Sequence, residues 1–185
     1  IGCAAAFELS KAGYKTINVD KNSQPGSGST INSCAVIRLT YSTFDGIALA
    51  YESFQYWKDW EGYLEMRDSK GLARFVNEGT IIVRSPDSRY ERMMKLFEKI
   101  GVTFDLWDAE TFAEQMPFMN NGSFYPPRPH DDEQFWDEPR KPILGALHIH
   151  DGGYVTDPQL ATHNLMVAAK AKGAQFQFNK EVTAI

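Results

Sequence analysis

An α/β fold is what this 185-residue sequence predicts, and three observations carry it. Stretches with apolar residues three or four apart take turns along the chain with short stretches of period two, the marks of helices and strands in succession. Gly13, Gly101 and Gly173 stand where helix C-terminal glycines belong. The chain also opens on a helix, a strand and then an acidic residue, running from Gly2 to Asp20, the order of a Rossmann-like unit.

Taken in order, residues 3–12 read as a helix with Ala5, Leu9 and Ala12 at helical spacing. Residues 15–20 read as a strand with Ile17 and Val19 inward. The stretch from Asn22 to Ser33 is rich in Ser, Gly, Asn and Pro and reads as a loop. Residues 35–41 fit a short strand or a turn of helix. A long helix is expected over 45–66, because Ile47, Ala50, Tyr51, Phe54, Trp57, Trp60 and Leu64 fall three or four apart. That aromatic stripe suits a ligand box, but its regularity favours a core. A strand is expected at 79–84, and a second amphipathic helix on Tyr90, Met93, Met94, Phe97 and Ile100, opened by a capping box of Ser88 and Glu91. Residues 102–107 read as a strand. Asp108 caps a brief helix, with Trp107 and Phe112 placed as a hydrophobic staple. Residues 120–142, with five prolines and an acidic stretch, read as an insertion or ordered surface loop. A strand at 145–150 and a turn at 151–153 lead to a helix capped by Asp157, with Pro158 in its first turn. Leu160, Asn164, Val167 and Ala171 run down it. A strand at 174–178 follows, and Val182 to Ile185 start another.

Composition narrows the classes. Hydrophobic residues at 43% and charged residues at 23% fit a soluble globular chain rather than a disordered one. A net charge of -5 gives no pull on nucleic acid. No apolar run reaches the roughly 18 residues of a membrane span. Ile1 to Leu9 is broken by Glu8 and has no basic leader, so it is not read as a signal peptide. Cys3 and Cys34 give no disulfide framework, and a cytoplasmic protein is expected. Ile1 is not Met, and Ile185 directly follows a strand-like run, so the chain reads as a fragment.

The opening segment holds the main constellation. In a dinucleotide-binding unit, glycines let the backbone approach a pyrophosphate, and a helix N-terminus supplies free N–H groups and partial positive charge. An acidic residue after the second strand takes ribose hydroxyls. Gly2 stands as the motif's third glycine, Ala4, Ala5 and Ala6 suit close helix-to-sheet packing, and Asp20 takes the acidic place. The first strand and two glycines would precede Ile1. Alone, this half-motif also fits any βα unit containing a glycine.

The loop after Asp20 adds to it. Asp20-Lys21, Gly26 to Thr30, and GSTINSCAVIRLTY from Gly28 to Tyr41 resemble the flavin loop of the D-amino-acid oxidase superfamily, most of all its sarcosine oxidase and dimethylglycine dehydrogenase branch. NEGTIIV, the stretch from Gly101 to Pro117, and GGYVTDPQLATHNLMVAAKAKGAQFQFNKEVTAI resemble later blocks of that family, so the likeness covers most of the chain except 120–144. The resemblance implies an incomplete Rossmann-like FAD-binding domain at 1–70 and 154–185. Residues 71–153 would be part of a mixed-sheet α+β substrate domain. It implies FAD held by Gly2, Asp20, Lys21, Gly28, Ser29, Thr30 and the backbone of Val182. It implies an amino-acid or N-methyl-amine substrate whose carboxylate Arg38 grips bidentately, with Tyr41 beside it. Hydride would pass to the flavin and the imine would hydrolyse, the electrons going on to oxygen or a carrier protein. Two departures bear on this. Asn32 stands where the dimethylglycine dehydrogenase branch has a flavin-linked histidine, so non-covalent FAD is expected. Ala35 stands where the sarcosine oxidase branch has a second arginine, which puts sarcosine in doubt. The fragment alone is expected to be inactive.

Two alternatives stay open. Asp20 would equally suit NAD in a dehydrogenase, and a non-catalytic flavin-fold subunit would keep the same motifs. His148 and His150 share one face of a strand, and with Asp151 they would make a metal site. Two histidines with no third strong ligand make a poor one, so no metal is expected. His130, Asp131, Asp132 and Glu133 read as a solvated loop.

Overall fold

The computed structural model describes residues 1–86, 90–139 and 141–184. Its helices and strands run in the order α1 (Gly2–Lys11), β1 (Ile17–Val19), β2 (Val36–Ile37), α2 (Phe44–Lys58), α3 (Trp60–Leu64), β3 (Phe75–Asn77) and β4 (Thr80–Val83). There follow α4 (Tyr90–Ile100), β5 (Phe104–Trp107), α5 (Ala109–Gln115), a 3-10 turn (Glu133–Trp136), β6 (Ala146–Ile149), β7 (Gly153–Val155), α6 (Pro158–Ala171) and β8 (Gln175–Gln177). The chain splits into two compact units. The first takes Ile1–Ile37, Glu52–Asn77 and everything from Gly153 on; the second takes Arg38–Tyr51 and Glu78–Gly152. Among the described residues no helix is long and apolar enough to cross a membrane.

In the first unit β1 pairs in parallel with β8, and β7 lies between β2 and β3, antiparallel to both. α1 and α6 lie together over a core of Ala6, Phe7, Trp60, Leu64, Ala161, Ala168 and Ala169. Alanine on both helices lets their backbones approach closely. Both helices end alike. After α1, Gly13 N donates to Ser10 O and Tyr14 N to Leu9 O; after α6, Gly173 N donates to Lys170 O and Ala174 N to Ala169 O. Gly13 and Gly173, at φ +86° and +98°, take the left-handed conformation this paired cap demands.

Several expectations are corrected. The buried face of α1 is Cys3, Ala6, Phe7 and Ser10, while Ala5, Leu9 and Ala12 are exposed. Phe7 offers the most area to bury, and it sets the facing. Ile17 and Val19 are not inward but 63% and 42% exposed. Within β1 only Asn18 shares the covered side with Phe176 of β8, and no described element of this unit covers the opposite side. The expected helix over 45–66 is two helices. Asp59 turns out of α2 and its carboxylate accepts from Gly62 N at 3.1 Å, starting α3 afresh. Gly62 permits this, since a Cβ there would lie 2.2 Å from Asp59 Oδ2. Ile47, Phe54, Trp60 and Leu64 of the aromatic stripe are buried, so the stripe is core. On α6 the buried residues are Ala161, Asn164, Met166, Ala168 and Ala169, rather than Leu160, Val167 and Ala171. β3 and β7 had no counterpart in the sequence reading. Residues 181–184 form no strand.

In the second unit β6 is the middle strand, antiparallel to β4 on one side and β5 on the other. Leu147 and Ile149 of β6 are fully buried, as are Leu39, Ile47 and Phe97. Asp108 caps α5 by accepting from Thr111 N at 2.8 Å. The Trp107 ring lies 4.6 Å from that of His148. The expected Ser88 cap of α4 lies outside the described residues. Residues 120–142 form an excursion with one 3-10 turn, and they enclose an open hollow of about 810 Å³.

Candidate functional site

In the first unit Asp20, Lys21 and the segment leading to Val182 lie at the carboxyl ends of the parallel strands β1 and β8, the end where α/β sheets bind ligands. Asp20 follows β1 directly. Its backbone N–H donates to Gln177 O, and its carbonyl accepts from Lys180 N, both at 3.0 Å. Asn179 N donates to Asn22 O. These bonds tie the segment leading to Val182 beside Asp20 and Lys21. The Val182 side chain is 60% exposed. One carboxylate oxygen of Asp20 accepts from Asn22 N at 2.9 Å, an Asx turn that fixes the side chain while leaving acceptor capacity.

The loop between β1 and β2 is ordered by its own backbone. Ile31 N donates to Gly26 O, Asn32 N to Ser29 O, and Ser33 N to Thr30 O. Gly26 packs against α6, where a Cβ would meet Thr162 at 3.4 Å. Gly28 and Ser29 are exposed. The Asn32 amide is turned back onto Gly28 O at 3.4 Å.

The donor set at α1 fits an FAD. No side chain caps the helix N-terminus, and its first turn holds no acidic residue. The first N–H groups and the positive end of the helix dipole are therefore not taken up by a carboxylate of their own turn. The Cys3 thiol is pushed up by burial, then drawn down by the N-terminal ammonium and raised again by the Asp20 carboxylate. Asp20 is thus within electrostatic reach of the first turn of α1.

Arg38 and Tyr41 belong to the second unit. Arg38 follows β2, is exposed, and holds its guanidinium 5.7 Å from the centre of the Tyr41 ring. Tyr41 borders an open groove of about 330 Å³ shared with Ile82, Tyr90, Arg92 and Met93. Arg92 also lines that groove, and the sequence reading did not single it out.

Two polar clusters also escaped it. In the first unit, fully buried Asn164 accepts from Ala73 N at 3.0 Å and from Trp60 Nε1 at 3.5 Å, and donates to Gly71 O and Asp68 Oδ2, both at 2.9 Å. In the second, the partner of His148 and His150 is Asp105, not Asp151: its Oδ2 lies 2.7 Å from His150 Nε2 and 3.6 Å from His148 Nδ1. For Asn164 the sequence signal was a polar residue inside an apolar pattern; for His148 and His150 it was their spacing of two, which did not point to Asp105.

The whole chain, residues 1–185, matches the model of a family described as FAD dependent oxidoreductase. No curated protein matches it. Solved structures with a similar fold include L-proline dehydrogenase from P. horikoshii, at 22% identity and a TM-score of 0.76, covering 99% of this chain and 42% of that one. Glycine oxidase from Geobacillus kaustophilus gives 20% identity and 0.70, over 98% and 45%. L-alpha-glycerophosphate oxidase from Mycoplasma pneumoniae, a structure with FAD bound, gives 22% and 0.66, over 99% and 43%. The chain thus spans less than half the length of these structures. The family match resolves the choice between FAD and NAD that Asp20 left open: this chain belongs to the FAD-dependent oxidoreductase family, whose cofactor is FAD.

Proposed function

We propose that the protein of which this chain is part oxidises the C–N bond of an amino acid or N-methyl amine. The observation that carries the cofactor half is the meeting of the α1 N-terminus, Asp20 and the 179–182 segment at the carboxyl ends of β1 and β8. There, α1 and Gly2 take the pyrophosphate and Asp20 takes the ribose hydroxyls. Lys21 stands at the adenine end, with the Val182 backbone near it. Gly28, Ser29 and Thr30 follow the cofactor with backbone N–H groups and hydroxyls. When bound, FAD supplies the two-electron acceptor, and the product imine hydrolyses in water. With Asn32 in place of a histidine, no covalent link forms at this loop.

Arg38 holds the substrate carboxylate. Its guanidinium is exposed, and a planar fork fixes a carboxylate in orientation as well as position. Tyr41 flanks it. With Ala35 rather than a second arginine three residues before Arg38, sarcosine is disfavoured among the amino-acid and N-methyl-amine substrates. Residues 1–70 and 154–185 form the FAD-binding domain in this reading, and 71–153 the substrate domain. The amino-acid oxidising neighbours, proline dehydrogenase and glycine oxidase, support the substrate class. Two free cysteines, one exposed, suit a cytoplasmic setting.

The test is spectroscopic. The full-length protein should purify yellow, and anaerobic addition of one member of an amino-acid and N-methyl-amine panel should bleach the flavin band. Re-oxidation by air with peroxide release would assign oxygen as acceptor, and its absence a carrier protein. Bleaching by no member of the panel would refute the reading and favour a non-catalytic flavin-fold subunit.

A further inference from the structure

Outside the residues assigned to cofactor and substrate, the described residues of the second unit hold one cluster with metal-ligand chemistry. The antiparallel register of β5 and β6 sets Asp105 opposite His148. His150, two residues on, continues the ladder through its N–H to Thr103 O at 3.2 Å, so its side chain returns to the same face. We propose that Asp105, His148 and His150 bind a divalent transition-metal ion of the zinc class through Oδ2, Nδ1 and Nε2.

Geometry supports the assignment. The three ligand atoms all lie within 4.8 Å of one another. Metal–ligand bonds of about 2.0–2.1 Å in a tetrahedron put ligand atoms roughly 3.4 Å apart. The Asp105 separations of 2.7 and 3.6 Å bracket that spacing. His148 Nδ1 is buried and has no hydrogen-bond partner. A buried ring nitrogen left unpaired is a standing cost that a bound ion would remove. The ring is also held in place. Trp107 lies against it, with ring centres 4.6 Å apart. A Cβ at Gly79 would lie 3.1 Å from His148 Nε2, so the glycine makes room for the ring. Asp105 and His150 are exposed, which leaves a coordination position facing water. Two imidazoles and one carboxylate suit zinc better than calcium or magnesium, which prefer all-oxygen sets. The ion would clip β5 to β6, and its open position would take water or a further ligand.

Zinc itself is the probe, and the full-length flavoprotein is the sample. After EDTA treatment and a check that the flavin spectrum is unchanged, zinc is titrated by calorimetry and the stoichiometry read by elemental analysis. One ion per chain, with a Kd below about 10 µM and a raised Tm, is expected. Asp105→Asn and His150→Gln are chosen because both side chains are exposed, whereas His148 supports Trp107. Each should weaken zinc binding by about 10-fold or more, with far-UV circular dichroism and flavin absorbance unchanged. No binding up to about 100 µM zinc would overturn the proposal in favour of a simple Asp–His hydrogen-bonded pair. So would binding that survives in the double variant.

Discussion

Asn164→Leu would remove the polar hub of the first unit without changing side-chain size much. In the folded chain Asn164 is fully buried, and its amide serves Ala73 N, Trp60 Nε1, Gly71 O and Asp68 Oδ2. Not all four losses count equally. The Trp60 bond is at the 3.5 Å limit, and Gly71 is exposed, so water can replace its partner. Ala73 is buried, so its N–H would be stranded; the Asp68 side chain is only 3% exposed and would lose one partner while keeping Lys70 N and His163. A buried polar group left unsatisfied costs about 1–3 kcal/mol, and a charged one tends to the upper end. Leucine returns roughly 1–2 kcal/mol through its own burial. The net loss is about 2–4 kcal/mol, or a Tm lower by roughly 5–15 °C in a domain of this size. Guanidinium unfolding of the full-length protein, followed by circular dichroism with the slope unchanged, measures it. Asn164→Asp sharpens the test. It keeps an acceptor for Ala73 N but sets a second carboxylate against Asp68, so its defect should ease as pH falls toward about 5. An Asn164→Leu protein within about 0.5 kcal/mol of wild type would show that the hub carries no net stability.

Other outcomes follow from the same geometry. Burial pushes the Asp68 carboxyl up, but the Lys70 N–H, the Asn164 amide and His163 together hold it below its ordinary value. A carboxyl lower in the folded than in the unfolded chain gives its full stability above about pH 4 and loses it as pH falls through the depressed folded value; urea midpoints from pH 5 to 2 should fall less in Asp68→Asn. Gly145→Ala places a Cβ 2.1 Å from Trp107 O at φ +111°, and should cost roughly 2–4 kcal/mol in thermal unfolding. Asp20→Ala should weaken FAD binding by roughly 10- to 100-fold, the worth of one charge-assisted hydrogen bond, read by flavin fluorescence on reconstituting the apoprotein. Arg38→Lys keeps the charge but loses the fork. It should lower kcat/KM for a carboxylate substrate by about 10-fold or more, with FAD occupancy unchanged.

What the sequence by itself determined was local. Helix ends were legible because their chemistry lies within four residues: Asp108 and Asp157 cap α5 and α6, and Gly13 and Gly173 end α1 and α6. The Gly2-to-Asp20 order was legible for the same reason, since a nucleotide fingerprint is a contiguous run. Even the break at Asp59 was within reach, because Gly62 stands three residues on. What only the tertiary structure decided was which side of each element meets another. α1 buries Phe7 because α6 lies there, and Ile17 and Val19 stay exposed because the cover lies on the side of Asn18 and Phe176. Asp105 reaches His148 from 43 residues away because antiparallel register, not spacing, sets them opposite. Asn164 reads as a polar intruder in an apolar stripe until Asp68, Gly71 and Ala73 are brought around it. Periodicity reports that a face exists, whereas burial and partnership depend on the strand or helix that arrives from elsewhere in the chain.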